Sequence, residues 1–173
     1  MNLWLRLLRV RLAAHRGERI GLWDTVVTRF RVALTDLDTV GHMNNGRYLT
    51  LLDLGRLDLM VQSGFWRRCR VRGWFPVVAG QTITYWKDLT IGQSFDVHTR
   101  VAGVDERWVY LEQTFRRGDV EHARALIRAC FVERGRGRVP AADLEAELGG
   151  FPDHLGVPDW VRSWTTHSAA KVA

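Results

Sequence analysis

The chain is poor in cysteine. Its two cysteines, Cys69 and Cys130, lie far apart and form no CxxC pair, which argues against a disulfide framework or a zinc site and for a reducing, cytoplasmic setting. The six histidines include no HExxH spacing, so no metal is expected. GxSxG is absent, as are a phosphate-binding P-loop and a dinucleotide fingerprint. A serine-nucleophile elbow and a nucleotide-binding turn are thereby excluded. A long unbroken apolar run is lacking too. Leu3 to Ala14 is interrupted by Arg6, Arg9 and Arg11, whereas a membrane span needs about 20 mostly apolar residues and a secretory core tolerates no such charges. Internal repeats and low-complexity tracts are also missing.

What remains is a chain of 173 residues, 46% hydrophobic, enough for one domain with its own core. Lys and Arg together number 25 against 19 Asp and Glu, a formal charge of +6, and nearly all of the cations are arginines. That balance suits an anionic partner such as a phosphate-bearing ligand or an acidic lipid surface. Nucleic acid is not expected, because the arginines are dispersed and no RNA- or DNA-binding signature is present. Residues 1–24 read as a basic amphipathic segment, suited either to peripheral contact with a membrane or to packing on protein.

Periodicity then gives the order of elements. Val26, Thr28, Phe30, Val32 and Leu34 alternate with Arg29 and Arg31, which predicts a strand over 25–34. A polar loop follows. From Asn45 to about Ser63 the apolar residues Tyr48, Leu51, Leu52, Leu54, Leu59 and Met60 recur at helical spacing, predicting a largely buried helix with Asn44 as N-cap and Gly64 as stop. Four more strands are predicted, over 75–86, 95–101, 108–116 and 122–133, with short turns between them. Short helices over 140–148 and 158–165 complete the chain. The expected fold is α+β, an antiparallel sheet wrapped around one long central helix, with peripheral helices at both ends and an open edge suited to a homodimer or homotetramer. The boundaries are 1–24, 25–135 and 136–173.

The loop D-x-D-x-x-G-H-M-N-N-x-x-Y, from Asp36 to Tyr48, holds two carboxylates, a histidine and two asparagines between a strand end and a helix start. Helix N-termini offer unpaired N–H groups and a positive dipole end, which stabilise a carbonyl oxygen acquiring charge. A carboxylate beside them could attack that carbonyl or deprotonate water. The same residues suit a purely structural turn, with Gly41 in a left-handed conformation.

The segment DLDTVGHMNNGRYLTLLDLGR resembles the active-site segment of the 4-hydroxybenzoyl-CoA thioesterase family within the hot-dog superfamily. TRVAGVDERWVYLEQTF and ARALIRACFV resemble its THEM6-type thioesterase-like branch. The resemblance covers about residues 25–135. It implies a hot-dog fold and hydrolysis of an acyl-CoA thioester, with coenzyme A as part of the substrate and no separate cofactor. It places the catalytic carboxylate on Asp38 and the polarising backbone N–H near Asn45. Asp36 is then a loop support, and His42, Asn44, Tyr48 and Asp53 are the candidate substrate-binding residues.

Asp53 competes as an acid on the central helix, although pairing with Arg56 three residues on is the favoured reading. Rim arginines Arg100, Arg116 and Arg117 are candidates for the coenzyme A phosphates. Tyr48, Leu52, Val78 and Ile83 are expected to line the acyl slot. Two other readings stay open: a hot-dog hydratase using Asp38 and His42, and a non-catalytic acyl-CoA-binding or membrane-associated scaffold.

Overall fold

The computed structural model describes residues 6–7 and 20–169, the last three as backbone only. Most of the N-terminal segment predicted to be amphipathic lies outside the described residues. No described helix is long and apolar enough to cross a membrane.

Strand β1 (Val26–Arg31) is followed by a 3-10 turn at Leu34–Asp36 and then by the long helix α1 (Asn45–Gln62). A second helix, α2 (Phe65–Arg72), precedes strands β2 (Trp74–Tyr85), β3 (Ser94–Val104), β4 (Val109–Arg117), β5 (Val120–Glu133) and the two-residue β6 (Gly137–Arg138). Helices α3 (Ala141–Leu148) and α4 (Asp159–Ala169) follow. The strands form one antiparallel sheet in the order β1-β3-β4-β5-β2, with β6 added to β5. This is the antiparallel sheet about one central helix expected from the sequence.

Period-2 patterning explains the inner face. Phe95, Val97, Thr99 and Val101 of β3 are buried, as are Val26, Thr28 and Phe30 of β1. They meet Leu51, Leu52 and Leu59 of α1, all but fully withdrawn from water, each contributing about 2 kcal/mol through burial. Helix and sheet approach closely at Gly55. A Cβ there would lie 2.8 Å from Thr99 Oγ1 and 2.9 Å from Gln113 Nε2, so the position admits no side chain without displacement. The outer face is covered by the C-terminal extension. Val157 and Val161 pack on Tyr110 and Leu126, and Arg128 stacks between the Trp108 and Trp164 rings at 4.9 and 5.5 Å.

Three details differ from the sequence reading. Leu34 is exposed rather than inward, because the 3-10 turn takes over where β1 ends. Helix α2 was not anticipated. Its sequence FWRRCRVR is too short and too basic for a readable apolar stripe, yet it buries Phe65 and Cys69. Strand β2 is irregular about Gly80, where its register with β5 shifts between Val78 and Gly80.

Strand β2 is an edge, and an unusually open one. Phe75, Val77, Val78 and Tyr85 are all exposed, and its free side presents unpaired backbone groups.

Candidate active site

The loop between β1 and α1 is built on Asp36. Its Oδ2 accepts from the Ala33 N–H at 2.8 Å, and its carbonyl accepts from the Asn44 N–H at 2.8 Å. The Arg6 guanidinium forms an ion pair with the same carboxylate, and both side chains are buried. Arg47 lies 3.8 Å from Oδ1. Asp36 thus has the supporting role expected for it.

Asp38 closes a tight turn. Its Oδ1 accepts from the N–H groups of Val40 at 2.9 Å and His42 at 3.2 Å, and its own N–H donates to the His42 carbonyl at 2.8 Å. Gly41 takes φ +86°, the left-handed conformation such a turn demands. Both side-chain bonds fall on one oxygen, so Oδ2 is the face of the carboxylate that they leave for chemistry.

The start of α1 lies in the same loop. Asn44 caps it, its side-chain oxygen accepting from the Gly46 N–H at 2.9 Å. Arg47 N–H donates to the Asn44 carbonyl at 2.8 Å. With Asn44, Gly46 and Arg47 engaged, the N–H of Asn45 is the group of the first turn left over among the described residues.

The remaining candidates divide. His42 supports Asp38 through its backbone, while its ring turns to Asp88, Nδ1 lying 3.7 Å from Oδ2. Tyr48 is enclosed by Tyr85 and Phe115, with ring centroids at 5.0 and 4.8 Å. Burial, reinforced by the charge of Asp88, pushes its phenol up to about 12. Asp53 is not brought to the loop. It sits two helical turns along α1, exposed, and pairs with Arg56 as expected. Arg56 also donates to Gln113 Oε1 at 2.7 Å, and Gln113 donates onward to Leu52 O and Thr99 Oγ1. Burial holds the Arg56 guanidinium below its usual value, with Asp53 opposing the shift.

The sequence reading passed over several residues. The connection between β2 and β3 reads as a plain turn, yet Asp88 faces His42, and Met43 N–H donates to Leu89 O at 2.7 Å. An open cleft next to this turn is lined by Lys87, Arg116, Arg117 and His122, with Arg29 paired to Asp96 at its rim. Two of the three arginines named for the phosphates are therefore gathered in one basic cleft, whereas Arg100 is tied to Glu112. Asp58, on α1, is buried and accepts from Thr28 Oγ1 at 2.6 Å and Gln62 Nε2 at 2.8 Å. Burial pushes its carboxyl above the ordinary range, those two bonds opposing the shift. Among the described residues no cluster of His, Cys, Asp or Glu is placed to hold a metal.

The four residues expected to line an acyl slot are placed differently from one another. Tyr48 and Leu52 are sealed into the core, and Ile83 packs against the same core cluster. Of the four, Val78 lines a largely apolar, partly open cavity of about 190 Å³. That cavity lies farther along α1, between its second half, the sheet and α3. Asp53 and Arg56 supply its polar groups, and Met60, Trp66, Phe131 and Leu144 are among its apolar walls.

This combination of a sheet around one helix with a carboxylate-bearing loop at the helix start is the hot-dog arrangement. The model of the thioesterase-like superfamily matches residues 32–165, and the chain belongs to that superfamily. The protein THEM6 of Danio rerio is 38% identical over 89 residues, 51% of this chain and 44% of that protein. The thioesterase lcsJ of Purpureocillium lilacinum is 24% identical over 155 residues, 76% of this chain and 50% of its own. The chain thus spans about half the length of these curated relatives. Among solved structures, the probable thioesterase YbaW of Escherichia coli superposes with a TM-score of 0.66 at 21% identity, covering 70% of this chain and 95% of that one. The gentisyl-coenzyme A thioesterase BH1999 gives 0.61 at 16% identity, covering 66% and 94%. These likenesses establish the fold.

Proposed function

We propose that the protein hydrolyses an acyl-coenzyme A thioester to the carboxylic acid and free coenzyme A, with Asp38 as the reacting carboxylate. The observation that carries this reading is the pairing, in one loop, of a carboxylate fixed through a single oxygen with an unengaged N–H at the start of α1. Gentisyl-coenzyme A, named for one structural relative, is a thioester of this chemical class.

In the general-base route, Asp38 takes a proton from water and the hydroxide adds to the thioester carbonyl. In the nucleophilic route, Asp38 Oδ2 adds to the carbonyl carbon. The C–S bond then breaks to leave a mixed anhydride, which water cleaves to release the acid and restore the carboxylate. In both, the Asn45 N–H and the positive end of α1 stabilise the oxyanion, and the sulfur leaves as thiolate and takes up a proton. Asp36 and Arg6 act on the loop rather than on the substrate. The basic cleft of Lys87, Arg116 and Arg117, next to the turn whose Asp88 faces His42, supports binding of the coenzyme A phosphates. The exposed β2 edge supports a homodimer that pairs β2 with its counterpart. A non-catalytic scaffold remains the alternative, favoured by the complete structural satisfaction of Asp38 Oδ1.

Thiol release from an acyl-CoA panel, wild type against Asp38→Asn, tests the proposal. Loss of at least 100-fold in rate in a folded variant is expected. An equally active variant refutes the role of Asp38, and a wild type inactive on every thioester favours the scaffold.

A further inference from the structure

The cavity under the second half of α1 differs in character from the loop at its first turn. Its walls are almost wholly apolar, from Met60 of α1, Phe65 and Trp66 at α2, Phe131 of β5, and Leu144 and Leu148 of α3. Its one charged feature is the Asp53–Arg56 pair. That pair is locally neutral, and Gln113 fixes the guanidinium from within the core. Such a void admits a hydrocarbon and penalises a hydroxylated or charged group, which would find no free partner among the apolar walls.

The helix connects the two places. Asn45, Leu49, Asp53 and Leu57 recur every four residues and so share one face of α1. None of the four is buried. Asp53 and Leu57 both line the cavity. The rise of α1 from Asn45 to Asp53 is about 12 Å.

Resting on the thioesterase reading above, we propose that the acyl group is a long unbranched aliphatic chain. Its thioester carbonyl lies at the Asn45 N–H, its proximal part follows the Leu49 stripe, and its distal end occupies the cavity. An extended chain advances about 1.2 Å per bond, so roughly ten carbons span the stripe. An apolar cavity of about 150 Å³ admits a benzene ring, so this one, at about 190 Å³, takes roughly six to eight further carbons. The preferred acyl group therefore has about sixteen to eighteen carbons. Leu144 and Leu148 set its limit, because α3 forms the far wall.

The test uses S-alkyl-CoA thioethers, which bind but cannot be hydrolysed, titrated calorimetrically against the full chain below their micellar concentrations. Between S-decyl- and S-hexadecyl-CoA the affinity should rise by about fourfold for each methylene that enters the cavity. Leu148→Trp, which fills the void from a peripheral helix, should weaken S-hexadecyl-CoA at least tenfold and leave S-decyl-CoA unchanged. Leu144→Ala, which deepens it, should move the optimum beyond S-octadecyl-CoA. An affinity that is flat beyond S-decyl, or a Leu148→Trp variant that binds S-hexadecyl-CoA as wild type does, overturns the assignment. If the chain-length pattern holds but no thioester is cleaved, the cavity assignment stands and hydrolysis falls. If short thioesters are cleaved while S-hexadecyl-CoA binds no tighter than S-decyl-CoA, hydrolysis stands and the cavity assignment falls.

Discussion

Arg6 and Asp36 form an ion pair from which water is almost entirely excluded, with 4% and 1% of the two side chains exposed. Thirty residues apart in sequence, they tie the N-terminal segment to the loop that carries Asp38. Arg6 also donates to Arg31 O at 3.2 Å, at the end of β1. Removing one partner of such a pair leaves a buried charge without compensation, and the cost is about 3 kcal/mol. Arg6→Ala should lower the urea midpoint accordingly. Asp36→Asn combined with Arg6→Met should recover much of the loss, since neither uncompensated charge remains. A double variant no more stable than Arg6→Ala contradicts this account of the pair.

The contact at Gly55 yields a second expectation. Gly55→Ala places a methyl group within 3 Å of Thr99 Oγ1 and Gln113 Nε2. The helix must lift or the Gln113 network must yield, at a cost of about 1–3 kcal/mol. Equilibrium unfolding reads this directly. A neutral substitution would mean that α1 and β3 can separate freely, which the fully buried Thr99 and Gln113 speak against.

Asp58 makes the stability depend on pH in an uncommon direction. Its native carboxyl titrates above the ordinary range because of burial, whereas in the unfolded chain it titrates near pH 4. Between those two values the native state binds the extra proton, so this group's contribution to stability falls as pH rises through that window. Other carboxylates act in parallel, so the measurement is a difference. Urea midpoints of wild type and Asp58→Asn are compared from pH 4 to pH 7. The variant should gain on wild type as pH increases, and two parallel curves would refute the assignment.

The β2 edge gives a test of assembly. Val77 is exposed on β2 opposite Cys130 of β5, and a lysine there is a device by which natural edge strands resist pairing. Val77→Lys should convert a dimer to a monomer in size-exclusion chromatography with light scattering. An unchanged mass would exclude a β2-mediated dimer.

The sequence made the loop and α1 legible because their signals are local. Asp, Asn and Gly mark a turn, the 3.6-residue period marks a buried helix, and Asn44 and Gly64 stand at its ends as expected. Alternation did the same for β3, where Phe95, Val97, Thr99 and Val101 point inward. Features assembled from distant segments were not legible. The Asp53–Arg56 pair could be anticipated from helical spacing, but Gln113, which fixes Arg56, is 57 residues away from it. The burial of Asp58 depends likewise on a distant segment, since β1 brings Thr28 against it. The burial of two of the expected slot residues was hidden for the same reason. Tyr48 and Leu52 have the right chemistry, but the ring of Tyr85 and the sheet close over them, and the void opens where α2 and α3 fail to fill the space beside α1. Helix α2 escaped notice because Gly64, a true stop for α1, also begins the next helix.

The cavity joins segments that leave the ribosome far apart in time. Trp23 forms part of one wall, and Leu144, Leu148 and Phe151 form part of another. At ribosomal speeds roughly 6 to 24 s separate the synthesis of Trp23 from that of Leu144. Most of that interval is spent making the sheet itself: Phe131 of β5, another wall, precedes Leu144 by 13 residues, so the completed sheet waits roughly 0.7 to 2.6 s for α3 to cover the apolar hollow.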